Sequence, residues 1–345
     1  MRVSIMSTSA VDVPPRAYGG TERFLADLAE GLVERGHEVV VYATGRSSPA
    51  GHLRWHFEEP IWPPNAEREL EHATWAWRDI AGGDFDVVHI NSPEALLAPD
   101  RDLEIPTVLT IHNDRNAGIM DLIRRAPPAH VVAISKRQAE LVPEIACSAI
   151  IHHGLATRLY PAGTGGDHVA FLGRLSPEKA PHLAIEAARA AGVRLRIGGP
   201  RRPTPYGRDP YFDQVLGPSI DRAGGDVEWL GELDHGRKLE LLHGASALLV
   251  PLEWEEPFGL VMIEAMLVGT PVIAFGRGSA PEVVEPGLTG FVVGNAAEMA
   301  SAIPKAAQLD RSACRARAVE RWSADRMASE YERLYQMIAR LQRAA

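Results

Sequence analysis

Short runs of β-branched and other apolar residues alternate with helical segments along almost the whole chain. A first set of runs lies at 2–6, 37–42, 86–90, 107–111, 130–134 and 149–152, and a second at 168–172, 194–197, 227–230, 247–250, 271–275 and 290–293. Continuous apolar strands separated by helices are typical of parallel sheets that are covered on both faces. The alternation therefore predicts an α/β fold with two doubly wound, Rossmann-like parallel-sheet domains.

The alternation is interrupted at 154–166, where Thr, Arg, Pro and Gly residues replace the apolar pattern. Such a stretch is typical of a domain boundary. We therefore predict domains at 1–155 and 156–322, followed by a helix at 323–345. Open α/β sheets bind ligands at the carboxyl ends of their strands. Two domains that face each other would thus place their binding loops on either side of a central cleft.

Charge and composition exclude several classes of protein. Lys and Arg number 36 against 45 Asp and Glu, which gives a net charge of −9. This balance argues against binding to nucleic acid or to anionic lipid, both of which need a basic surface. The two cysteines, Cys147 and Cys314, are too few for a disulfide framework. With no long apolar run and a start that turns polar early, the sequence predicts a cytoplasmic protein without membrane association.

Two glycine-containing segments could bind an anion at the start of a helix. The loop Ser7–Gly20 ends in Gly19-Gly20 before a helical pattern, although a tight turn would explain the two glycines equally well. The second segment is Pro257-Phe258-Gly259-Leu260. It leads into an apolar helix that contains Glu264, and Glu256 lies just before it. A carboxylate among apolar neighbours needs a polar partner, so we expect Glu264 to face a polar ligand.

Other candidates follow predicted strands. Arg174 and Lys179 lie in a Gly/Pro loop and could bind a pyrophosphate, although such cations are more often solvated surface residues. His112 ends a strand, where it would lie at the ligand-binding edge. Four of the tryptophans are close together in the sequence: Trp55, Trp62, Trp75 and Trp77. They could form a stacking platform for a sugar, but such a pattern is more often explained by the packing of helices. Asp84-Phe85-Asp86 spells D-x-D but precedes a strand, so we do not assign it a metal.

Four collinear motifs together resemble glycosyltransferase family 4, a family of retaining transferases with the GT-B fold. The most specific is Glu256-x7-Glu264 within EPFGLVMIEAM, which continues through GTPVI and APEVV. The others are GRL–EK at 173–179, Gly19-Gly20, and Leu230-Gly231. The resemblance covers nearly the whole chain. It also extends, through PPRAYGGTE at 14–22, to a bacterial subgroup that includes an avilamycin-pathway transferase.

The resemblance implies a role for each candidate residue. Arg174 and Lys179 would hold the donor diphosphate, and Glu264 would bind the ribose hydroxyls. Glu256 would contact the transferred sugar, and His112 would lie beside that sugar. Backbone amides would add to the diphosphate site, and backbone groups near the base would hold the nucleoside: the amides are those of Gly19, Gly20, Phe258, Gly259 and Leu260, and the base site includes Gly199, Pro200 and Leu233.

The implied activity is retaining, metal-independent transfer of a hexose from a nucleotide-diphosphate sugar, with UDP favoured, to a hydroxyl of a small molecule or glycan. No cofactor is implied. The first domain would bind the acceptor, the second the donor, and the last helix would cross back to the first domain. The family's usual Asn-Gly before the linker is His153-Gly154 here. The alternatives are an epimerase, a phosphorylase or a non-catalytic sugar-nucleotide sensor. A phosphorylase would need a lysine for its cofactor, and only Lys136 and Lys179 fall at predicted ligand-binding loops.

Overall fold

The computed structural model describes residues 1–16, 19–99, 101, 104–113, 117–126, 128–201 and 209–344. The chain divides into two compact units. One contains Met1–Ala156 and Trp322–Ala345, and the other contains Thr157–Arg321. The domain boundaries predicted from the sequence lie one residue from these divisions.

The first unit is built on one parallel sheet. Its elements are β1 (Arg2–Met6), α1 (Gly20–Glu34), β2 (Glu38–Ala43), β3 (His52–Trp55), α2 (Ala66–Ala81), β4 (Val87–Ile90), β5 (Thr107–Ile111), α3 (Ala117–Arg125), β6 (His130–Ala133), α4 (Lys136–Glu140) and β7 (Ala149–Ile150). The strand order is β3-β2-β1-β4-β5-β6-β7, with the reversal beside β1 that is typical of doubly wound folds. The carboxyl ends of β1 and β4 therefore lie at the switch point of the sheet.

The second unit repeats this plan. Its elements are β8 (His168–Leu172), α5 (Pro181–Ala191), β9 (Arg194–Gly198), α6 (Gly217–Ala223), β10 (Val227–Trp229), α7 (His235–His243), β11 (Ala245–Val250), α8 (Leu260–Leu267), β12 (Val272–Phe275), α9 (Ala280–Val283), β13 (Gly290–Val293), α10 (Ala296–Ala306) and α11 (Arg311–Trp322). The parallel strands follow the order β10-β9-β8-β11-β12-β13. The predicted fold class of two doubly wound α/β sheets is confirmed.

The last helix, α12 (Ala324–Ala344), belongs to the first unit and packs against α1. The two helices approach closely at Gly31, where an added Cβ would lie 2.7 Å from the Cβ of Ala328. Buried polar contacts also join α12 to the sheet. The hydroxyl of Tyr335 lies 2.6 Å from Nδ1 of His89, and the hydroxyl of Tyr331 lies 2.8 Å from Oγ1 of Thr110. These contacts fix the helix in one register on the sheet.

The tryptophan cluster does not form one feature. Trp75 and Trp77 lie on α2, and Trp77 is fully buried, with its Nε1 donating to the backbone oxygen of Ala95 at 3.1 Å. Trp55 and Trp62 are exposed, on β3 and on the segment that follows it. Part of the cluster is therefore helix packing, and the two exposed rings are separate from it.

Candidate functional site

The entry to α8 is shaped by Gly259. This residue has φ 81°, a left-handed conformation that favours glycine, and no side chain caps the first turn of the helix. Ser279 holds the preceding loop in place: its Oγ donates to the backbone oxygen of Phe258 at 2.6 Å, and its backbone N–H donates to that of Glu256 at 2.9 Å. The positive end of the helix dipole at Leu260 is thus presented by a fixed loop.

Glu264 lies in the second turn of α8 and is 5% exposed. Its Oε1 accepts a hydrogen bond from the hydroxyl of Tyr160 at 3.1 Å and forms an ion pair with Nζ of Lys238 on α7. This contact is not predicted from the sequence, which places only Lys136 and Lys179 at ligand-binding loops. A signal existed, because Lys238 lies three and four residues before the buried Leu241 and Leu242 and therefore shares their face of α7.

Glu256 also pairs with a lysine. Its Oε2 accepts from Nζ of Lys179 and from Nε1 of Trp254, the latter at 2.9 Å. The same Nζ lies 4.8 Å from the centroid of the Trp254 ring, within the range of a cation–π contact. Lys179 and Glu256 come from distant parts of the chain, and the fold brings them together at the carboxyl-end loops of β8 and β11.

Arg174 follows β8 and is only partly neutralised. Its guanidinium lies 3.6 Å from a carboxylate oxygen of Glu178, and its Nε is buried without a hydrogen-bond partner among the residues that the structure describes. The backbone oxygen of Glu178 accepts from the N–H of Glu253 at 3.0 Å, which ties the loop after β8 to the loop after β11. The loop after β8 therefore carries two cations, Arg174 and Lys179, of which Lys179 pairs with Glu256.

The carboxyl ends of β8, β9 and β10 meet at Gly199. Its N–H donates to the backbone oxygen of Gly231 at 2.8 Å, and the N–H of Gly173 donates to that of Gly198 at 3.0 Å. An added Cβ on Gly199 would lie 1.7 Å from the backbone oxygen of Gly173. Leu233 is buried in the same corner, where its Cδ1 lies 2.5 Å from the position of a Cβ on Gly198. A side chain at position 198 or 199 would therefore clash with its neighbours, with Leu233 at Gly198 and with backbone at Gly199.

In the first unit, His112 follows β5 and is held in one orientation. The side-chain N–H of Asn91 donates to the backbone oxygen of Met6 at 3.1 Å, so its Oδ1 is the acceptor for Nε2 of His112 at 2.8 Å. The proton is therefore on Nε2. Nδ1 is buried, and no residue among those described bonds to it. Burial lowers the pKa of His112 to about 3, and the ring packs 5.3 Å from that of His153. His112 is thus a neutral ring with an unused acceptor.

Helix α1 begins at Gly20, and no side chain caps it. In its first turn, burial raises the pKa of Glu22, whose Oε1 accepts from the hydroxyl of Thr8 at 2.7 Å. A Cβ on Gly19 would lie 2.7 Å from the Cβ of Pro15, so the loop folds tightly against this residue. Tyr18, next to Gly19, and Asp114, next after Asn113, lie outside the described residues.

Asp86 of the D-x-D sequence has partners within the protein. Asp86 accepts from the backbone N–H of Arg2 at 2.9 Å and from the guanidinium of Arg343 at 2.6 Å, which is a structural role at the start of β4. Among the described residues, no group of three or more His, Cys, Asp or Glu side chains could hold a metal ion, and no helix is long and apolar enough to cross a membrane.

Two protein families match the chain, one in each half. The family described as "Glycosyltransferase Family 4" matches residues 18–158, and "Glycosyl transferases group 1" matches residues 161–320. A glycogen synthase of Mycobacterium tuberculosis is 34% identical over 193 residues, which are 51% of this chain and 45% of that protein. A D-inositol 3-phosphate glycosyltransferase of Mycobacterium bovis is 33% identical over 181 residues, 48% of this chain and 37% of that protein. The matched region is thus less than half of either relative.

Solved structures match the whole chain. AviGT4, a glycosyltransferase involved in avilamycin A biosynthesis, has a TM-score of 0.78 and 26% identity, with 100% of this chain and 99% of that chain covered. The Anabaena protein HepE in complex with UDP and glucose has a TM-score of 0.75 and 20% identity, with 98% and 100% covered. Sucrose-phosphate synthase of Thermosynechococcus elongatus has a TM-score of 0.79 and 19% identity, with 98% and 99% covered.

Proposed function

This chain belongs to the glycosyltransferases of the family 4 type with the GT-B fold, and we propose that it transfers a hexose from a nucleotide-diphosphate sugar to a hydroxyl of an acceptor. One observation carries the proposal. At the carboxyl-end loops of the second sheet, Arg174, Lys179 and the uncapped start of α8 stand beside two buried glutamates. Cations and a helix N-terminus suit a diphosphate, and carboxylates suit the hydroxyl groups of two sugars.

Each residue of this site then has a role in binding the donor. Arg174, Lys179 and the amides of Phe258, Gly259 and Leu260 hold the diphosphate. Glu264 accepts from the ribose hydroxyls, and Glu256 accepts from hydroxyls of the transferred hexose. The backbone at Gly199 and the side chain of Leu233 border the base. The first unit carries further candidate groups of its own: the amides of Gly19 and Gly20 as donors to an anion, and Nδ1 of His112 as an acceptor for a sugar hydroxyl.

The same groups account for catalysis. When the bond between the hexose and the diphosphate breaks, negative charge develops on the leaving phosphate, and fixed cations and amides lower that barrier without reorganisation. We propose that the reaction is retaining: the acceptor hydroxyl attacks from the side that the phosphate leaves, and a phosphate oxygen takes its proton. The guanidinium of Arg174 and the ammonium of Lys179 supply the charge that a divalent metal supplies in other transferases, so no metal or cofactor is required.

For the acceptor, we propose a small molecule or glycan with a free hydroxyl. The similarity to AviGT4, which is involved in avilamycin A biosynthesis, supports a small molecule as the acceptor. The UDP complexes of HepE support UDP as the nucleotide.

The proposal is tested by a thermal-shift panel of UDP-, GDP-, ADP- and dTDP-glucose, followed by mass spectrometry of mixtures with hydroxyl-bearing acceptors. We expect one donor to raise the melting temperature and to yield either a glycosylated product or slow hydrolysis. The Arg174→Ala/Lys179→Ala double variant should lose both effects, and Lys305→Ala, a change at an exposed lysine on α10, should keep them. Tight binding without turnover would instead indicate a sensor, and conversion of the donor into its epimer would indicate an epimerase.

A further inference from the structure

Both glutamates of the Glu256-x7-Glu264 motif pair with lysines, although the chain contains only four lysines: Lys136, Lys179, Lys238 and Lys305. The pairing of Lys179 with Glu256 falls among the residues to which the resemblance gave roles. The pairing of Lys238 with Glu264 does not, because no motif of the sequence includes Lys238. The contact is between α7 and α8.

The contacts of Glu264 are unequal between its two oxygens. Lys238 and the hydroxyl of Tyr160 both bond to Oε1. No hydrogen bond reaches Oε2 from any residue within the described ranges. Tyr160 is itself fixed: it is fully buried, and its ring meets that of His235 edge-on at 5.4 Å. The carboxylate is therefore held by one oxygen, and the other is left available to a ligand.

We propose that Lys238 and Tyr160 are positioning residues that aim Oε2 of Glu264 at the ribose hydroxyls, and that they make the site select ribonucleotides over 2′-deoxyribonucleotides. The inference rests on the proposed function. A buried carboxylate is costly without a partner, and the ammonium of Lys238 supplies that partner without occupying Oε2. A carboxylate accepts hydrogen bonds but donates none, so it suits the two hydroxyls of a ribose. A 2′-deoxyribose offers one hydroxyl fewer.

The experiment is calorimetry of the full chain with UDP and with 2′-deoxy-UDP. A hydrogen bond to a charged group is worth roughly tenfold or more in affinity, so the wild type should bind UDP at least about tenfold more tightly than 2′-deoxy-UDP. In Lys238→Met the ratio should fall to about twofold or less, because the carboxylate loses its fixed orientation. Tyr160→Phe removes one hydrogen bond to the carboxylate but leaves its ion pair with Lys238, so the ratio should fall by a smaller factor, about threefold. Lys305→Met, the matched control at an exposed lysine, should leave the ratio unchanged.

The ratio separates positioning from mere stabilisation. If Lys238 only stabilised the fold, Lys238→Met would lower the melting temperature but leave the ratio of the two affinities at its wild-type value. That result would overturn the inference. Tyr160→Phe keeps the ring and serves as the decisive variant if Lys238→Met does not fold. If the wild type binds UDP and 2′-deoxy-UDP equally, this inference fails while the proposed function stands. If it binds dTDP but none of UDP, ADP and GDP, this inference fails while the proposed function stands. If it binds none of the four nucleotides, the proposed function fails and this inference fails with it.

Discussion

Replacement of Gly199 by alanine tests the architecture of the proposed base site. The new Cβ would lie 1.7 Å from the backbone oxygen of Gly173, where ordinary van der Waals contact begins at 3.4 Å. The obstacle is backbone rather than a side chain that could rotate away. Gly199 also has φ 151°, in the range that side chains rarely adopt. The substitution therefore requires a displacement of main chain at the ends of β8 and β9.

The size of the effect follows from the contacts that such a displacement breaks. It separates the N–H of Gly173 from the oxygen of Gly198, now 3.0 Å apart, and the N–H of Gly199 from the oxygen of Gly231, now 2.8 Å apart. Each hydrogen bond contributes about 1 kcal/mol to stability. Backbone strain at such a φ adds about 1–3 kcal/mol. We therefore expect the free energy of unfolding to fall by about 3–5 kcal/mol.

Urea unfolding followed by far-UV circular dichroism measures this change. The matched control is Gly225→Ala, because no heavy atom lies within 4 Å of the position of its added Cβ. A substitution in open space should change the free energy of unfolding by less than about 0.5 kcal/mol. If the two variants unfold at the same urea concentration, the close approach of Gly199 to Gly173 does not exist in solution, and the proposed base site loses its basis.

Three further predictions concern charge. Lys179 is already paired with Glu256, whereas Nε of Arg174 has no hydrogen-bond partner in the described ranges. Arg174→Ala should therefore weaken the binding of the nucleoside diphosphate more than Lys179→Ala does, and should lower the turnover number about 10²–10³-fold; equal affinities of the two variants in calorimetry would contradict this reasoning. Excess EDTA should leave the transfer rate unchanged, and a complete loss that Mg²⁺ restores would reopen a role for Asp84 and Asp86. Burial lowers the pKa of His72 to about 4. Between about pH 4 and 6.5 the unfolded chain therefore binds a proton that the native ring does not, and acidification from pH 7 to pH 5 lowers the free energy of unfolding by about 2 kcal/mol at this residue. In urea unfolding, the same acidification should lower the free energy of unfolding of His72→Gln by about 2 kcal/mol less than that of the wild type, and an equal decrease in both proteins would refute the assignment.

The repeated strands of both sheets could be predicted because each central strand is a continuous apolar run. The edge strand β3 could not. Its residues, His52 to Trp55, include one aliphatic side chain, and most of the strand is exposed, so no apolar pattern marks it. Its position depends on Gly51, with φ 90°, where a Cβ would lie 2.4 Å from the backbone oxygen of Val39. The strand is fixed by a turn and by its pairing with β2.

The spacing of apolar residues at 211–222 predicts one regular helix, and the structure departs from it. The structure has a π-helical turn at Phe212–Leu216 that leads into α6 at Gly217. Gly217-Pro218 inside the pattern is the local cause, because proline cannot donate the hydrogen bond that a regular α-helix needs at that position. The apolar periodicity of this segment persists through the irregular turn, so periodicity alone could not reveal it.

For the candidate site, the sequence identified residues but not their partners. The apolar neighbours of Glu264 predict a buried carboxylate that needs a partner. They do not say that the partner is Lys238, because the two residues are 26 positions apart and lie on different helices. Tyr160 is 104 positions away. Such pairs follow from the packing of α7 and α8 against one sheet, which only a three-dimensional arrangement specifies.

The pairing of lysines with glutamates also decides which groups can neutralise a diphosphate. Lys179 and Glu256 cancel each other, and so do Lys238 and Glu264. Arg174 lies 3.6 Å from its acidic neighbour, too far for a hydrogen bond, and keeps a buried Nε without a partner in the described ranges. The positive charge that is not already matched therefore comes from Arg174 and from the start of α8. In the proposed donor site, a diphosphate that binds Lys179 competes with Glu256 for the ammonium, and a carboxylate released in this way could accept from hydroxyls of the hexose.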